Sequence, residues 1–210
     1  MKIGEIKAQA LRLMFAAGSQ SISPADTDDM LTEDANAAHY LIAMTGSINR
    51  ALGDIERRRV IRPRSVRLDK MREEGGVWVF DTEELSDFLS VDHISLCDGN
   101  GYDSKVSYVM DGTRILLPPG NGVYTLFYRH SMPRLTSSYG GEDELQGVPD
   151  RVAALIPYYI KADLFSEDEP GAATEARNWY EAGMAVLTLP EDSRQDGMVV
   201  SVFSYPGGIV

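Results

Sequence analysis

The stretch LIAMTGSINRALGDIERRRVIRP, residues 41–63, decides the fold of this chain. Its large apolar residues recur at steps of three and four: Leu41, Met44, Ile48, Leu52 and Ile55. This spacing predicts an α-helix with one buried face. Three successive arginines follow, at the end where the helix dipole favours cations, and Pro63 is predicted to end the helix. Upstream, Thr27 or Thr32 is a candidate N-cap, and acidic residues crowd the first turns.

The period changes to that of β-structure between residues 65 and 136. The segments predicted as strands are Val77–Phe80, Val91–Cys97, Lys105–Met110, Thr113–Leu117 and Val123–Tyr128. Asp111-Gly112 suits a two-residue hairpin because these residues tolerate positive φ, and Asp98–Gly101 is predicted as a turn. Four or five antiparallel strands are expected, in a small sandwich or barrel.

Helical spacing returns after an acidic linker predicted at residues 137–144. Pro157 should kink or restart the first of two late helices, and Pro170 suits the first turn of the second. The residues expected to be buried on the second are Ala173, Ala176, Trp179, Tyr180, Gly183, Met184 and Leu187. A short first helix from Ile3, predicted to end at Gly18, completes the pattern. The fold class is therefore α+β: a helical bundle (1–64 and 145–190), an inserted β-sandwich or small barrel (65–136) and an extended C-terminal arm (191–210).

The net charge of −12 is unevenly distributed along the chain. Residues 50–72 hold nine arginines and lysines against three acids, a net +6, which leaves −18 for the rest. An acidic chain is a poor general binder of nucleic acid, because phosphate binding needs a positive field. The acids can simply maintain solubility, or they can form a functional face.

The basic run has two interpretations. Its arginines can cap a helix and pair with Glu56 or other acids of the same chain, or they can face an acidic neighbour or a nucleic-acid backbone. We favour an acidic neighbour, because identical acidic subunits can pair head to tail in a ring. The candidate interface residues are Arg57, Arg58, Arg59, Arg62 and Arg64.

No catalytic, cofactor or metal motif stands out in the sequence. Asp98–Asp103 resembles a calcium loop but has Tyr102 and Val109 where oxygen ligands are required. Three scattered histidines have no partner at ligand spacing, and the carboxylates of residues 167–169 suit a solvated loop. We expect no enzyme activity, no cofactor and no metal. The single cysteine, Cys97, suits a small packed side chain, and we expect a soluble protein with no membrane span.

The C-terminal residues 198–205, MVVSVFSY, are strand-like and follow an acidic turn. Such a segment can add to a sheet edge on another chain or fold back on its own β-block. We favour another chain, because the polar residues 190–197 would let the segment reach away. The candidate arm residues are Val199, Val200, Val202, Phe203 and Tyr205.

Three segments carry a resemblance to a known family. They are IGEIK to LMF (3–15), YLIAMTGSINRALGDIERRRV (40–60) and IPYYIKADLFSEDEPGAA (156–173). Together they resemble the head–tail connector, or adaptor, proteins of tailed bacteriophages. In that family a helical bundle holds a β-insertion, and a late pair of helices runs from an apolar helix through an acidic turn to an alanine-rich helix.

The resemblance implies a structural role in the virion neck, after assembly in the host cytoplasm. It implies a homo-oligomeric ring of about a dozen copies between the portal protein and a downstream neck or tail protein. DNA would pass through an acidic lumen without sequence-specific binding, and the C-terminal arm would contact the portal. A tail-completion or tail-terminator protein is the alternative, although such proteins are dominated by sheet. A small enzyme or nucleic-acid-binding regulator is a third hypothesis.

Overall fold

The computed structural model describes residues 1–15, 35–136 and 139–187, and it has the predicted α+β character. The chain divides into two compact units. The helical unit contains Met1–Arg62 and, of the later described residues, 131–136 and 139–187, whereas the β-unit contains Pro63–His130. The predicted arm, residues 191–210, lies outside the described residues.

The described part of the helical unit contains five helices. They are α1 (Ile3–Met14), α2 (Ala35–Arg58), α3 (Asp150–Ala153), α4 (Ile156–Leu164) and α5 (Pro170–Leu187). Helix α4 packs against α1, α2 and α5, so it is the common neighbour of the three long helices. The core of this unit is built from the apolar faces of these helices.

The apolar stripe predicted on α2 is confirmed. Its five large residues are each exposed by 1% or less: Leu41, Met44, Ile48, Leu52 and Ile55. Burial of an aliphatic side chain of this size stabilises a fold by roughly 1.5–3 kcal/mol relative to leaving it in water. This stripe therefore attaches α2 firmly to the helical core.

The predicted end of α2 at Pro63 is wrong. The helix ends at Arg58, and Arg59 adopts a left-handed φ of 57° that turns the chain out of the helix. Val60 is then buried in the core, so the turn returns the chain to the unit before Pro63 is reached. The candidate N-caps Thr27 and Thr32 lie outside the described residues, as does Gly18; the described α1 ends at Met14.

Two proline predictions are confirmed. Helix α3 ends at Ala153 and α4 starts at Ile156, with Pro157 in the first turn of α4. A proline costs no hydrogen bond there, because first-turn N–H groups have no partner within the helix. Pro170 similarly begins α5.

The prediction that Trp179 is buried is wrong, because 60% of the residue is exposed. Successive helical residues differ by about 100° in direction. The buried stripe of α5 runs through Ala173, Ala176, Tyr180 and Met184. Trp179 directly precedes Tyr180, so its side chain points in a different direction and lies outside this stripe.

The segment predicted as an acidic linker is bound to the start of α1 through Gly141 and Asp143. The N–H of Ile3 donates to the carbonyl of Asp143 at 2.9 Å, and that of Gly4 donates to Gly141 at 2.8 Å. First-turn amides of a helix need such external acceptors. The segment therefore caps α1 with its backbone.

The described β-unit contains eight strands. They are β1 (Arg64–Arg67), β2 (Arg72–Glu74), β3 (Val77–Asp81), β4 (Phe88–Asp98), β5 (Asp103–Lys105), β6 (Val109–Asp111), β7 (Arg114–Leu117) and β8 (Gly122–His130). One antiparallel sheet has the order β1-β8-β4-β5 and the other β2-β3-β7-β6. Neither sheet closes into a barrel, so the barrel alternative is wrong for the described strands.

Buried residues from both sheets form one apolar cluster. Its members are Leu68, Phe80, Ile94, Ile115, Leu117, Tyr124, Leu126 and Tyr128. Strand β8 contributes three of them because its residues alternate in burial, as the sequence predicted.

The strand prediction at Lys105–Met110 is wrong, because this segment belongs to two sheets. Strand β5 pairs with β4, whereas β6 pairs with β7. The N–H of Val106 donates to the carbonyl of Ile94 at 2.9 Å, and the chain then leaves that sheet for the other. The hairpin at Gly112 is confirmed, with a φ of 61° that favours glycine.

Candidate functional site

Three of the predicted interface arginines are exposed on the helical unit: Arg57, Arg59 and Arg62. The side chain of Arg57 is 75% exposed, and its Nη2 donates to Asp54 Oδ1 at 3.2 Å. Arg59 and Arg62 have no ion pair with the residues that the structure describes. These three side chains, which we call the arginine surface, are therefore available to a partner.

The turn at Arg59 separates the three successive arginines. Arg57 lies on the outer side of α2, Arg58 faces the unit, and Arg59 is already outside the helix. Its left-handed backbone conformation ends α2 between Arg58 and Val60. The local backbone thus gives neighbouring residues of one type different surroundings.

Arg58 is engaged within the helical unit. Its Nη1 and Nη2 donate to the two carboxylate oxygens of Glu181 at 2.6 and 2.7 Å, and its Nε donates to Asp54. The side chain is only 29% exposed. A two-pronged arginine–carboxylate contact is among the stronger polar contacts in proteins. Arg58 therefore joins α2 to α5. It pairs with acids of its own chain, which is the first of the two interpretations of the basic run.

Asp54 is the centre of this network. It also accepts a hydrogen bond from the hydroxyl of Tyr180 at 2.8 Å, and Tyr180 is fully buried. Burial alone would raise the pKa of Asp54, but the hydrogen bonds from Arg58 and Tyr180 outweigh it and lower the pKa below its usual value. Burial, reinforced by the Asp54 carboxylate, raises the pKa of Tyr180.

Glu56, the acid considered as a partner of these arginines, binds the backbone after β8. Its Oε2 accepts the backbone N–H of Met132 at 2.9 Å. Arg64, the fifth predicted residue, lies on β1 in the β-unit, where it forms an ion pair with Asp87. Asp87 also accepts a hydrogen bond from the Tyr128 hydroxyl at 3.1 Å.

One basic residue near α2 was missed by the sequence analysis. The Nη1 of Arg134 donates to the carbonyl of Asn49 at 2.8 Å, so an exposed guanidinium lies on the outer side of α2. Arg134 is 85 residues from Asn49 in sequence, so no local pattern indicated this contact.

The carboxylates considered for chemistry are in structural or solvated positions. Asp98 Oδ1 accepts the backbone N–H groups of Asn100 and Tyr102 at 2.9 and 3.0 Å, which identifies a turn. These hydrogen bonds lower the pKa of Asp98, and the bond from Tyr102 has the largest effect. Glu167, Asp168 and Glu169 are exposed between α4 and α5. No group of three potential metal ligands occurs among residues 1–15, 35–136 and 139–187.

The three histidines are in separate environments. His39 is exposed on α2, and His130 is buried at the end of β8. His93 stacks on Phe127 with 4.2 Å between ring centroids, and its Nδ1 lies 2.9 Å from an oxygen of Asp92. They do not converge on one place.

Each unit has a cavity among its described residues. That of the β-unit, about 360 Å³, is lined by Lys70, Arg72, Val79, Asp81, Glu83 and Glu84. That of the helical unit, about 250 Å³, is lined by Leu13, Tyr158, Lys161, Glu175, Ala176 and Trp179. Lys70 and Glu84 pair with each other at 3.2 Å, and Lys161 donates to the carbonyl of Leu13 at 2.7 Å.

The candidate arm residues Val199, Val200, Val202, Phe203 and Tyr205 lie outside the described residues, so their role stays a prediction. None of the described helices combines the length and the apolar character needed to cross a lipid bilayer.

No protein-family model and no curated protein matches the chain. Three solved structures with similar chains come from gene transfer agent (GTA) particles. A chain of the neck of the native particle, computed with C12 symmetry, is 16% identical, with a TM-score of 0.26 over 85% of this chain and 93% of that chain. A chain of the neck of the empty particle, computed with C6 symmetry, is 15% identical, with a TM-score of 0.24 over 76% and 89%. A chain of the native virion is 15% identical, with a TM-score of 0.27 over 87% and 91%. These values are too low to establish a shared fold or function.

Proposed function

We propose that this protein is a non-enzymatic head–tail connector of a tailed-phage particle. In this proposal identical copies form a ring in the virion neck, between a portal protein and a downstream neck or tail protein. The resemblance of three sequence segments to the adaptor family supports it. So do the paired helices α4 and α5, since a tail terminator dominated by sheet would lack them.

The observation that carries the proposal is the arginine surface on an otherwise acidic chain. Arg57, Arg59 and Arg62 are exposed, although the chain as a whole has a net charge of −12. Opposite charges on two sides of one protein attract successive copies, and a contact of this head-to-tail kind closes into a ring when the rotation allows.

The remaining acids suit a channel that conducts DNA. Each cation placed against a phosphate adds affinity, so a negatively charged lumen would let DNA slide. In this proposal the arginine surface lies at the boundaries between subunits, and exposed acids face the axis. The predicted arm, residues 198–205, would reach the portal.

Reversal of the arginine surface should prevent assembly. We expect Arg57→Glu, Arg59→Glu and Arg62→Glu together to convert the ring into single copies that still fold, because like charges would then meet at each boundary. Light scattering after size-exclusion chromatography measures the mass, and circular dichroism measures the fold. Rings of unchanged mass would remove the arginine surface from the proposal.

A matched control is available in the same basic run. Arg67→Glu, Lys70→Glu and Arg72→Glu change the net charge by the same amount at exposed positions of the β-unit. This control should still form rings. Its failure to do so would mean that net charge, rather than the arginine surface, governs assembly.

Deletion of residues 198–210 should weaken attachment to the portal and leave the ring intact. The apolar arm would supply backbone and side-chain contacts to a sheet edge of the portal, which the shortened chain lacks. Co-sedimentation with portal-containing particles measures the attachment. If the shortened chain fails to fold, the segment is instead a part of the core.

A further inference from the structure

One face of α5, which we call its outer face, carries large apolar side chains that are mostly exposed, although Trp179 also lines the cavity shared with Leu13 and Tyr158. Trp179 is 60% exposed and Val186 is 85% exposed, and exposed Ala182 lies between them on the same face. The three recur at steps of three and four residues, so they form one stripe. Tryptophan is also among the residues most enriched at the energetic centre of protein interfaces.

The outer face of α2 offers a basic surface interrupted by glycines. A side chain added at Gly46 would lie 3.6 Å from Arg50 Nη1, and one added at Gly53 would lie 3.5 Å from Arg134 Nη1. Arg57 is on the same face, one helical turn beyond Gly53. At each glycine a guanidinium group therefore lies close over the helix backbone, in van der Waals contact with the position of the missing side chain.

The charges of the two faces are complementary. The outer face of α5 carries exposed Glu175 next to Trp179, whereas the outer face of α2 carries Arg57 and Arg134. Arg50 lies on the same face of α2, but its charge is paired with Asp163 of α4. Two α2 faces would oppose guanidinium groups, so this face cannot favourably pair with a second copy of itself. The α5 face is complementary to the α2 face, because Glu175 supplies a carboxylate and the indole ring of Trp179 can make a cation–π contact with a guanidinium group.

The spacing of residues on the two helices also matches. If the helices run antiparallel with Glu175 beside Arg57, then Trp179, four residues on, lies opposite Gly53. Val186, eleven residues on, lies opposite Gly46. Both helices rise about 1.5 Å per residue, so the register holds along the whole contact. Each large apolar side chain then meets a glycine, and Trp179 lies next to the Arg134 guanidinium.

We propose that the outer face of α5 in one copy docks antiparallel onto the outer face of α2 in the next copy. This inference rests on the proposed ring and identifies its subunit boundary. Glu175 pairs with Arg57, and Trp179 packs on the Arg134 guanidinium that lies beside Gly53. The contact joins two different faces, so an open oligomer keeps one free face of each kind, at its two ends, until the ring closes.

Disulfide cross-linking tests the register. The full-length chain would carry Cys97→Ser, to remove the natural thiol, together with Gly46→Cys and Val186→Cys. Mild oxidation should give covalent oligomers up to the size of the ring. The control pair Gly46→Cys with Glu167→Cys should give none, because the acidic turn that contains Glu167 lies beyond the contact. Dimers from Val186→Cys alone would show that α5 packs on α5 and would overturn the proposal.

A charge exchange tests the same contact independently. Arg57→Glu and Glu175→Arg should each weaken association at least about tenfold, as loss of a well-placed charge pair does. The double variant should return to within about threefold of the natural protein, because the two residues act on each other across the boundary. Analytical ultracentrifugation measures the association. A double variant no better than the single ones would overturn the proposal.

The outcomes separate this inference from the proposed function. The protein can form rings while residues 46 and 186 give no cross-link and the charge exchange does not restore association. That result would overturn the α2–α5 contact and leave the connector proposal standing. A natural protein that forms no ring under any condition would overturn both.

Discussion

Replacement of Asp54 by alanine is expected to lower the free energy of unfolding of the helical unit by about 3 kcal/mol. The Asp54 carboxylate accepts hydrogen bonds from Arg57, Arg58 and Tyr180, and its side chain is only 13% exposed. Without it, the buried hydroxyl of Tyr180 has no acceptor there and the half-buried Arg58 keeps only Glu181. Chemical denaturation followed by far-ultraviolet circular dichroism measures the loss.

The matched control for this variant is Glu142→Ala. Glu142 also forms an ion pair, with Lys2 at 2.6 Å, but both side chains are well exposed. Exposed pairs contribute little, so the change should be within about 0.5 kcal/mol. Equal losses from the two variants would contradict the central role of Asp54.

The same network predicts a dependence of stability on pH at both extremes. The pKa of Asp54 is lowered in the folded chain, so its contribution is complete above about pH 4 and is lost as the pH falls further. The pKa of Tyr180 is raised, so its contribution is complete below about pH 10 and is lost as the pH rises further. Tyr180→Phe should therefore flatten the alkaline fall, and Asp54→Ala should flatten the acid fall.

Replacement of Gly122 by alanine is expected to destabilise the β-unit by about 3 kcal/mol. A Cβ at this position would lie 2.2 Å from the carbonyl oxygen of Cys97. The obstacle is backbone of the paired strand β4, where Asp98 is opposite Gly122, so no flexible side chain can move aside. The central β4–β8 pairing would have to shift to accommodate the methyl group.

Gly99→Ala is the control for the β-unit, because a Cβ there would have no atom within 4 Å. It should change stability by less than about 0.5 kcal/mol. The chain has two tryptophans, and Trp78 lies on β3 in the β-unit. In a Trp179→Phe background its fluorescence therefore follows the unfolding of the β-unit alone. A Gly122→Ala chain that unfolds at the same denaturant concentration as the Gly99→Ala chain would contradict the predicted clash.

The long helices were predictable because their signal is periodic. The stripe from Leu41 to Ile55 repeats at helical spacing, and one periodicity determines both the element and its buried face. Pro157 and Pro170 were equally informative, since a proline restricts the backbone wherever it occurs. Such features depend on local sequence alone.

Edge strands were not predictable in the same way. Strands β1 and β2 have the sequences RSVR and REE, and neither resembles a buried strand. Both are at sheet edges, where charged residues protect unpaired backbone groups from other chains. They are recognised only through the strands that they pair with.

The candidate site was predictable as a region but not residue by residue. Three successive arginines look alike in sequence, yet Arg58 is bound to Glu181, 123 residues away, whereas Arg57 and Arg59 are exposed. The left-handed backbone at Arg59 and the packing of α5 decide the difference. The exposure of Trp179 was missed for a related reason, because an alanine-rich helix does not mark its buried side clearly.

Electron microscopy of the purified protein tests the central claim most directly. We expect closed rings of identical copies around an open axis, with Arg57, Arg59 and Arg62 at the boundaries between neighbours and acidic side chains toward the opening. Isolated copies at every concentration would contradict the claim, and so would a ring whose central opening is lined by these arginines.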